Sequence, residues 1–232
     1  MAIIRGVIFD LDGTLIDSLD VFLEALNHVL SSLGLSPISR GVLSNMLNEA
    51  MSLDGILLAI SPVFRERGLR ERSKEAIRSS YRRLEERIGL LPSVKEVLWA
   101  LKAKGLKIGI VTARTTEGER KWSELRRLGI ARFIDAFVTG SETKRKPEPD
   151  GLLLCLQRLN LKSEECLFVG DSRADIRAGR KAGLKTVAVT TGVAGPDDLL
   201  AEEPDLIVDR VSCLLDILDP KKDTGWAWSP HC

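Results

Sequence analysis

The sequence predicts an α/β protein built on a doubly wound parallel sheet, with an all-helical insertion after the first strand. Three observations carry that expectation. Apolar, β-rich runs alternate with helical patterns from about residue 92 onward. A further apolar run, Ile3 to Phe9, stands by itself near the N-terminus. Between them, over about 16–88, helix signals recur without a convincing strand. Strands alternating with helices of about 10–15 residues form βαβ units, and hence parallel strands covered on both faces.

Ile3–Phe9 runs into the acidic turn Asp10-Leu11-Asp12-Gly13-Thr14. Leu19, Leu23, Leu26, Leu30 and Leu33 then repeat with helical spacing up to Gly34. Pro37, Pro62 and Gly68 punctuate at least two further helices. Beyond Leu91-Pro92 the pattern predicts helix over Ser93–Lys104, strand over Leu106–Thr112, helix over Thr116–Leu128 and strand over Phe133–Thr139. A helix at Pro149–Leu159, strands at Cys166–Gly170 and Thr186–Thr190, and a helix at Ala174–Ala182 between them come next. Strand Leu206–Val208 and helix Val211–Leu218 complete the set. The expected organisation is a catalytic core of residues 1–15 and 89–219, a helical domain of 16–88, and a loosely docked tail of 220–232 holding Trp226 and Trp228.

Composition narrows the function. The 34 Lys and Arg nearly cancel the 33 Asp and Glu, which argues against a nucleic-acid binder and against a self-repelling disordered chain. The 44% hydrophobic content is that of a protein with a sizeable core. No apolar run approaches the roughly 18–20 residues of a membrane span, and the N-terminus lacks the layout of a signal peptide. Cys155, Cys166, Cys213 and Cys232 show no metal-ligand spacing, so free thiols in a reducing cytoplasm are expected. His28 lies in a helical pattern and His231 in the tail, which leaves acid–base chemistry to carboxylates.

In open α/β sheets, ligands bind beyond the carboxyl ends of the strands. Those ends carry Asp10 and Asp12 after the first strand, Thr112 at the second, and Gly170-Asp171-Ser172 at the fourth. Lys146-Pro147 lies in the loop after the third. Carboxylates gathered on one rim repel one another unless a hard cation sits among them, and an all-oxygen set suits Mg²⁺. The lysine and the cation together would hold a dianion such as phosphate, and Gly13 frees a tight turn whose N–H groups can face it.

These residues resemble the four motifs of the haloacid dehalogenase superfamily: Asp10-Leu11-Asp12-Gly13-Thr14-Leu15, Thr112, Lys146-Pro147, and Gly170-Asp171-x-x-x-Asp175. The resemblance spans about residues 4–218. It implies a Rossmann-like core with an inserted all-α cap domain at 16–88, entered through the hinge Leu15-Ile16-Asp17-Ser18, as in phosphoglycolate phosphatases and β-phosphoglucomutases. It also implies roles. Asp10 would be the nucleophile that forms an aspartyl-phosphate. Asp12 would be the general acid and base, its pKa raised by the neighbouring carboxylate. Asp10, the Asp12 backbone carbonyl and Asp171 would hold Mg²⁺, while Thr112 and Lys146 would hold the phosphoryl oxygens. Asp175 is either a further metal ligand or, preferably, the orienter of Lys146.

Arg114 reads equally as a substrate contact or as a surface arginine. Asn45, Asn48 and Ser52 are candidates for substrate selection in a stretch that otherwise reads as packing. Halide-displacing relatives lack the second acid, and phosphonate-cleaving ones need a Schiff-base lysine in the cap, where 16–88 offers only Lys74. The expectation is Mg²⁺-dependent hydrolysis of a small phosphorylated metabolite. The alternatives are a phosphomutase and a non-catalytic phosphate-binding or regulatory module.

Overall fold

The computed structural model describes residues 3–115 and 118–218. The strands are β1 (Gly6–Phe9), β2 (Ile16–Asp17), β3 (Gly89–Leu90), β4 (Lys107–Thr112), β5 (Ala136–Thr139), β6 (Cys166–Gly170), β7 (Lys185–Val189) and β8 (Leu206–Val208). Helices α1 (Leu19–Ser32), α2 (Arg40–Asn48), α3 (Leu53–Ile60) and α4 (Arg67–Leu84) fill the insertion. Around the sheet lie α5 (Val94–Ala103), α6 (Gly118–Arg127), α7 (Asp150–Leu159), α8 (Arg173–Lys181), α9 (Pro196–Leu200) and α10 (Leu214–Ile217).

Six strands form one sheet in the order β5-β4-β1-β6-β7-β8, every pair parallel. The α/β class and the parallel sheet are those the sequence predicts. Period-two alternation divides the side chains between two cores. Val7 and Phe9 of β1, Ile108 and Ile110 of β4, and Val187 and Val189 of β7 pack with Leu98, Leu125 and Leu214 on one face. Ile8, Val111 and Phe168 face the other way, against Leu152 and Leu156 of α7 and Ala178 of α8. The chain builds outward from β1 through β4 to β5, then crosses over α7 to β6. That reversal leaves a crevice at the carboxyl ends of β1, β4 and β6.

Helices α1–α4 enclose a core of their own, with Leu26, Leu30, Leu43, Leu57, Phe64 and Ile77 buried together. Two features, a strand pairing and a short helix, are absent from the sequence expectation. A two-residue strand, β3, pairs antiparallel with β2 (Ile16 opposite Leu90, Asp17 opposite Gly89), so the two connectors to the insertion lie side by side. Helix α9, opened by Pro196, fills the segment between β7 and β8. Both are too short to impose a periodic pattern. β1 is shorter than the apolar run that predicts it, with Ile3 81% exposed, and Phe133 belongs to a single 3-10 turn before β5. The expected tail 220–232 lies outside the described residues.

Candidate active site

The site begins with strand register. Phe9, the last residue of β1, lies opposite Ile110 of β4 and Val169 of β6. Asp10 therefore leaves the sheet beside the ends of both neighbours, where Thr112 closes β4 and Asp171 follows Gly170. Lys146 enters from the loop after β5. Its ammonium donates to Asp10, to Asp175 Oδ1 at 2.5 Å and to the Val111 carbonyl at 3.2 Å. Asp175 is itself tied down in the first turn of α8, where its Oδ2 accepts from the Ser172 amide (3.0 Å) and hydroxyl (2.5 Å). One ammonium thus bridges two buried carboxylates from different elements.

Asp171 completes the cluster. Its Oδ1 accepts from the Thr14 hydroxyl at 2.9 Å, and its Oδ2 accepts from the Val193 amide at 2.9 Å. Two glycines make room for it. A Cβ at Gly192 would lie 1.8 Å from Asp171 Oδ2, and one at Gly13, where φ is +81°, would lie 2.6 Å from the same atom. Carboxylate oxygens of Asp10, Asp171 and Asp175 fall within 4.8 Å of one another, all three residues buried.

Three buried carboxylates against one ammonium leave negative charge that burial makes costly. Desolvation, opposed by Lys146 and reinforced by the neighbouring carboxylates, pushes Asp10 well above the usual carboxylate range. Burial, and then the Asp175 charge, pushes Asp171 up to about 7. Burial depresses Lys146, but Asp10 and Asp175 outweigh it and hold the ammonium protonated. An all-oxygen set carrying surplus negative charge fits a hard divalent cation.

Asp12 sits in a different field from the one the sequence suggests. Arg114, just past β4, grips its carboxylate through Nε (2.8 Å to Oδ2) and Nη2 (2.5 Å to Oδ1), and Ser18 donates to Oδ1 at 2.5 Å. Burial raises the Asp12 pKa, but the Arg114 charge and these hydrogen bonds prevail and hold it below the usual value. The expected upward shift is therefore reversed. A guanidinium in bidentate contact outweighs a carboxylate two residues away. Arg114 is no solvated surface arginine either, since its other contacts are Glu124 Oε2 (2.6 Å) and the Tyr81 hydroxyl (2.5 Å). Thr112 is buried, with its hydroxyl 3.5 Å from Asp12 Oδ2.

These groups form the floor of a cavity of about 840 Å³ between the sheet rim and the helical insertion. Met51, Ser52 and Tyr81 line its insertion side. Of the residues proposed to select substrate, Asn45 is exposed and does not line the cavity. Ser52 caps α3 by accepting from the Gly55 amide at 3.1 Å. Asn48 bridges to the core instead, donating to Asp198 (3.1 Å) and accepting from the Arg173 amide (3.0 Å).

The family profile for haloacid dehalogenase-like hydrolases matches residues 7–189. The chain belongs to that family. This hydrolase is 33% identical over 238 residues to a phosphoglycolate phosphatase of Escherichia coli (strain K12), covering 93% of this chain and 92% of that protein. It is 32% identical over 223 residues to the pyrophosphatase PpaX of Bacillus cereus (strain Q1), covering 93% and 96%. A hydrolase from Pseudomonas syringae of solved structure superposes with a TM-score of 0.77 at 27% identity, covering 93% of this chain and 98% of that one. No helix among the described residues is long and apolar enough to cross a membrane.

Sequence reasoning missed two residues that line the cavity of this hydrolase and contact Arg114. Tyr81 is the chain's single tyrosine. It stands four residues after Ile77 and three before Leu84, so it reads as a packing position; its polar tip was the available signal. Glu124 sits in a charged helix whose inward face the pattern does not reveal.

Proposed function

We propose that this phosphatase hydrolyses a small phosphate monoester through an aspartyl-phosphate on Asp10, with phosphoglycolate, the substrate named for its relatives, as the first candidate. The observation that carries the reading is Lys146, seated between Asp10 and Asp175 at the sheet rim. A fixed cation beside a nucleophilic carboxylate is what attack on an anionic ester requires.

Asp10 Oδ attacks phosphorus while the bond to the ester oxygen breaks, and Asp12, protonated for this step against the pull of Arg114, gives its proton to that oxygen. In the second half, Asp12 takes a proton from water as the water oxygen attacks the aspartyl-phosphate, releasing phosphate and regenerating Asp10. Thr112 and Lys146 hold the phosphoryl oxygens. Asp10, the Asp12 carbonyl and Asp171 would hold Mg²⁺, which when bound neutralises charge between carboxylate and phosphoryl group. Asp175 acts through Lys146. Helices α1–α4, the proposed cap, close over the cavity and exclude water.

Lys74, the lone lysine of 16–88, donates to Asp54 Oδ2 (2.8 Å) and pairs with Glu71 (2.9 Å), which disfavours Schiff-base chemistry. Cys155, Cys166 and Cys213 are buried free thiols, in keeping with a reducing, cytoplasmic setting. The test is phosphate release across a panel of phosphorylated metabolites, with and without Mg²⁺. Release that requires the cation and vanishes in Asp10→Asn is expected. Turnover that survives either change overturns the mechanism. Isomerisation of a sugar phosphate without net release would identify a mutase instead.

A further inference from the structure

We propose that Tyr81 and Arg114 form a positioning relay that couples the seating of the helical insertion to the aim of the Asp12 carboxylate. The inference rests on the functional reading above, in which Asp12 is the general acid and base.

The geometry runs in one line from the insertion to the reacting centre. Tyr81 belongs to α4 and is fixed there by an edge-to-face contact with Phe22 of α1, the ring centroids 6.3 Å apart. Its hydroxyl accepts from Arg114 Nη2 at 2.5 Å, and the guanidinium carbon lies 5.3 Å from its ring centroid. The same Nη2, with Nε, grips Asp12 from the other side. Nη1 donates to Glu124, which also belongs to the core. Asp12 and Glu124 stay with the sheet when the insertion moves, whereas Tyr81 moves with it. The paired connectors β2 and β3 are where such a movement would turn.

A planar guanidinium fixes the plane of the carboxylate it grips as well as its distance. Tyr81, by capping one Nη, sets the rotation of that plane about the Arg114 side chain. With the insertion seated, the relay holds Asp12 in one orientation. With it raised, Arg114 loses its outer contact and Asp12 loses a defined aim. Asp12 is then aimed at the ester oxygen only in the closed enzyme. Tyr81 and Arg114 are positioning residues, since neither needs to touch phosphorus or the leaving oxygen.

Leaving-group dependence separates this role from a merely structural one. An alkoxide needs a proton as the P–O bond breaks, and p-nitrophenolate does not. kcat/KM reports the steps through departure of the leaving group. It would be measured for an alkyl phosphate and for p-nitrophenyl phosphate in wild type, Tyr81→Phe and Arg114→Lys, each first shown to be folded by its thermal melt. Tyr81→Phe keeps the ring packed on Phe22. It is expected to lower kcat/KM for the alkyl ester about tenfold, a part of what general acid catalysis supplies, and to leave the aryl ester within about twofold. Arg114→Lys keeps the charge but not the fork, and is expected to show the same selective loss. Equal loss on both esters, or loss on neither, overturns the relay.

If wild type releases phosphate from no ester, the functional reading fails and the relay is tested without turnover. The Nε proton of Arg114 is then followed by hydrogen exchange in an arginine-labelled sample. Protection that disappears in Tyr81→Phe supports the coupling; unchanged protection overturns it.

Discussion

Lys146 and Asp175 meet at 2.5 Å, and the same ammonium reaches Asp10, 136 residues earlier in the chain. One cation therefore compensates two buried carboxylates, and Asp171 stands beside them with no ammonium of its own among the described residues. The arrangement favours binding positive charge over stability of the metal-free fold. Four consequences can be measured.

Lys146→Ala is expected to cost about 3–5 kcal/mol of stability at neutral pH, because it leaves paired carboxylates buried without their cation. Urea denaturation at pH 7.5 reads the loss. The penalty should shrink as pH falls below about 7, where the raised Asp171 takes up a proton, and shrink further as the raised Asp10 follows. A penalty independent of pH would mean that Lys146 contributes packing rather than charge.

Without a bound cation, the cluster is expected to make stability fall as pH rises. A carboxyl whose folded pKa stands near 7, against about 4 unfolded, contributes stability that is full below about 4 and lost as pH rises through about 7. The metal-free protein should therefore melt lower at pH 8 than at pH 5.5. Mg²⁺ should raise the melting temperature more at pH 8, where it meets no competing proton. Equal Mg²⁺ shifts at both pH values would exclude the cluster as the binding site.

Asp10→Asn should trade function for stability. Turnover is expected to disappear with the nucleophile, while the metal-free fold gains on the order of 1 kcal/mol as one of three crowded charges is removed. Calorimetry on the apo protein checks the second half. A lower melting temperature would show that the Asp10–Lys146 contact outweighs the repulsion.

Gly192→Ala probes the cradle of Asp171. The added methyl would stand 1.8 Å from Oδ2, so the carboxylate must turn away. Overpacking of this kind costs about 1–3 kcal/mol, and a displaced ligand should weaken Mg²⁺ binding at least about tenfold. Titration calorimetry gives the affinity directly. Unchanged binding would remove Asp171 from the ligand set.

Much of this was legible in the chain. An apolar run followed by Asp-x-Asp-Gly-Thr announces a strand that ends in a carboxylate turn, because a covered strand needs apolar residues on both faces and a turn needs Gly and Asp. Asp10, Thr112, Lys146 and Asp171 could be placed together because parallel strands deliver their carboxyl ends to one rim. The direction of the Asp12 shift could not be foreseen in the same way. It depends on Arg114, 102 residues distant, whose partner the order of the chain does not specify. Strands β2 and β3 escaped notice because two residues carry no periodicity.

By itself the sequence determined the α/β class, the strand ends and the residue types gathered there, since periodicity and turn chemistry act over a few neighbouring residues. Tertiary structure alone decided which charges meet: Lys146 between Asp10 and Asp175, Arg114 on Asp12, Tyr81 on Arg114. Coulombic and hydrogen-bond energies depend on distance and burial in space, and separation along the chain encodes neither.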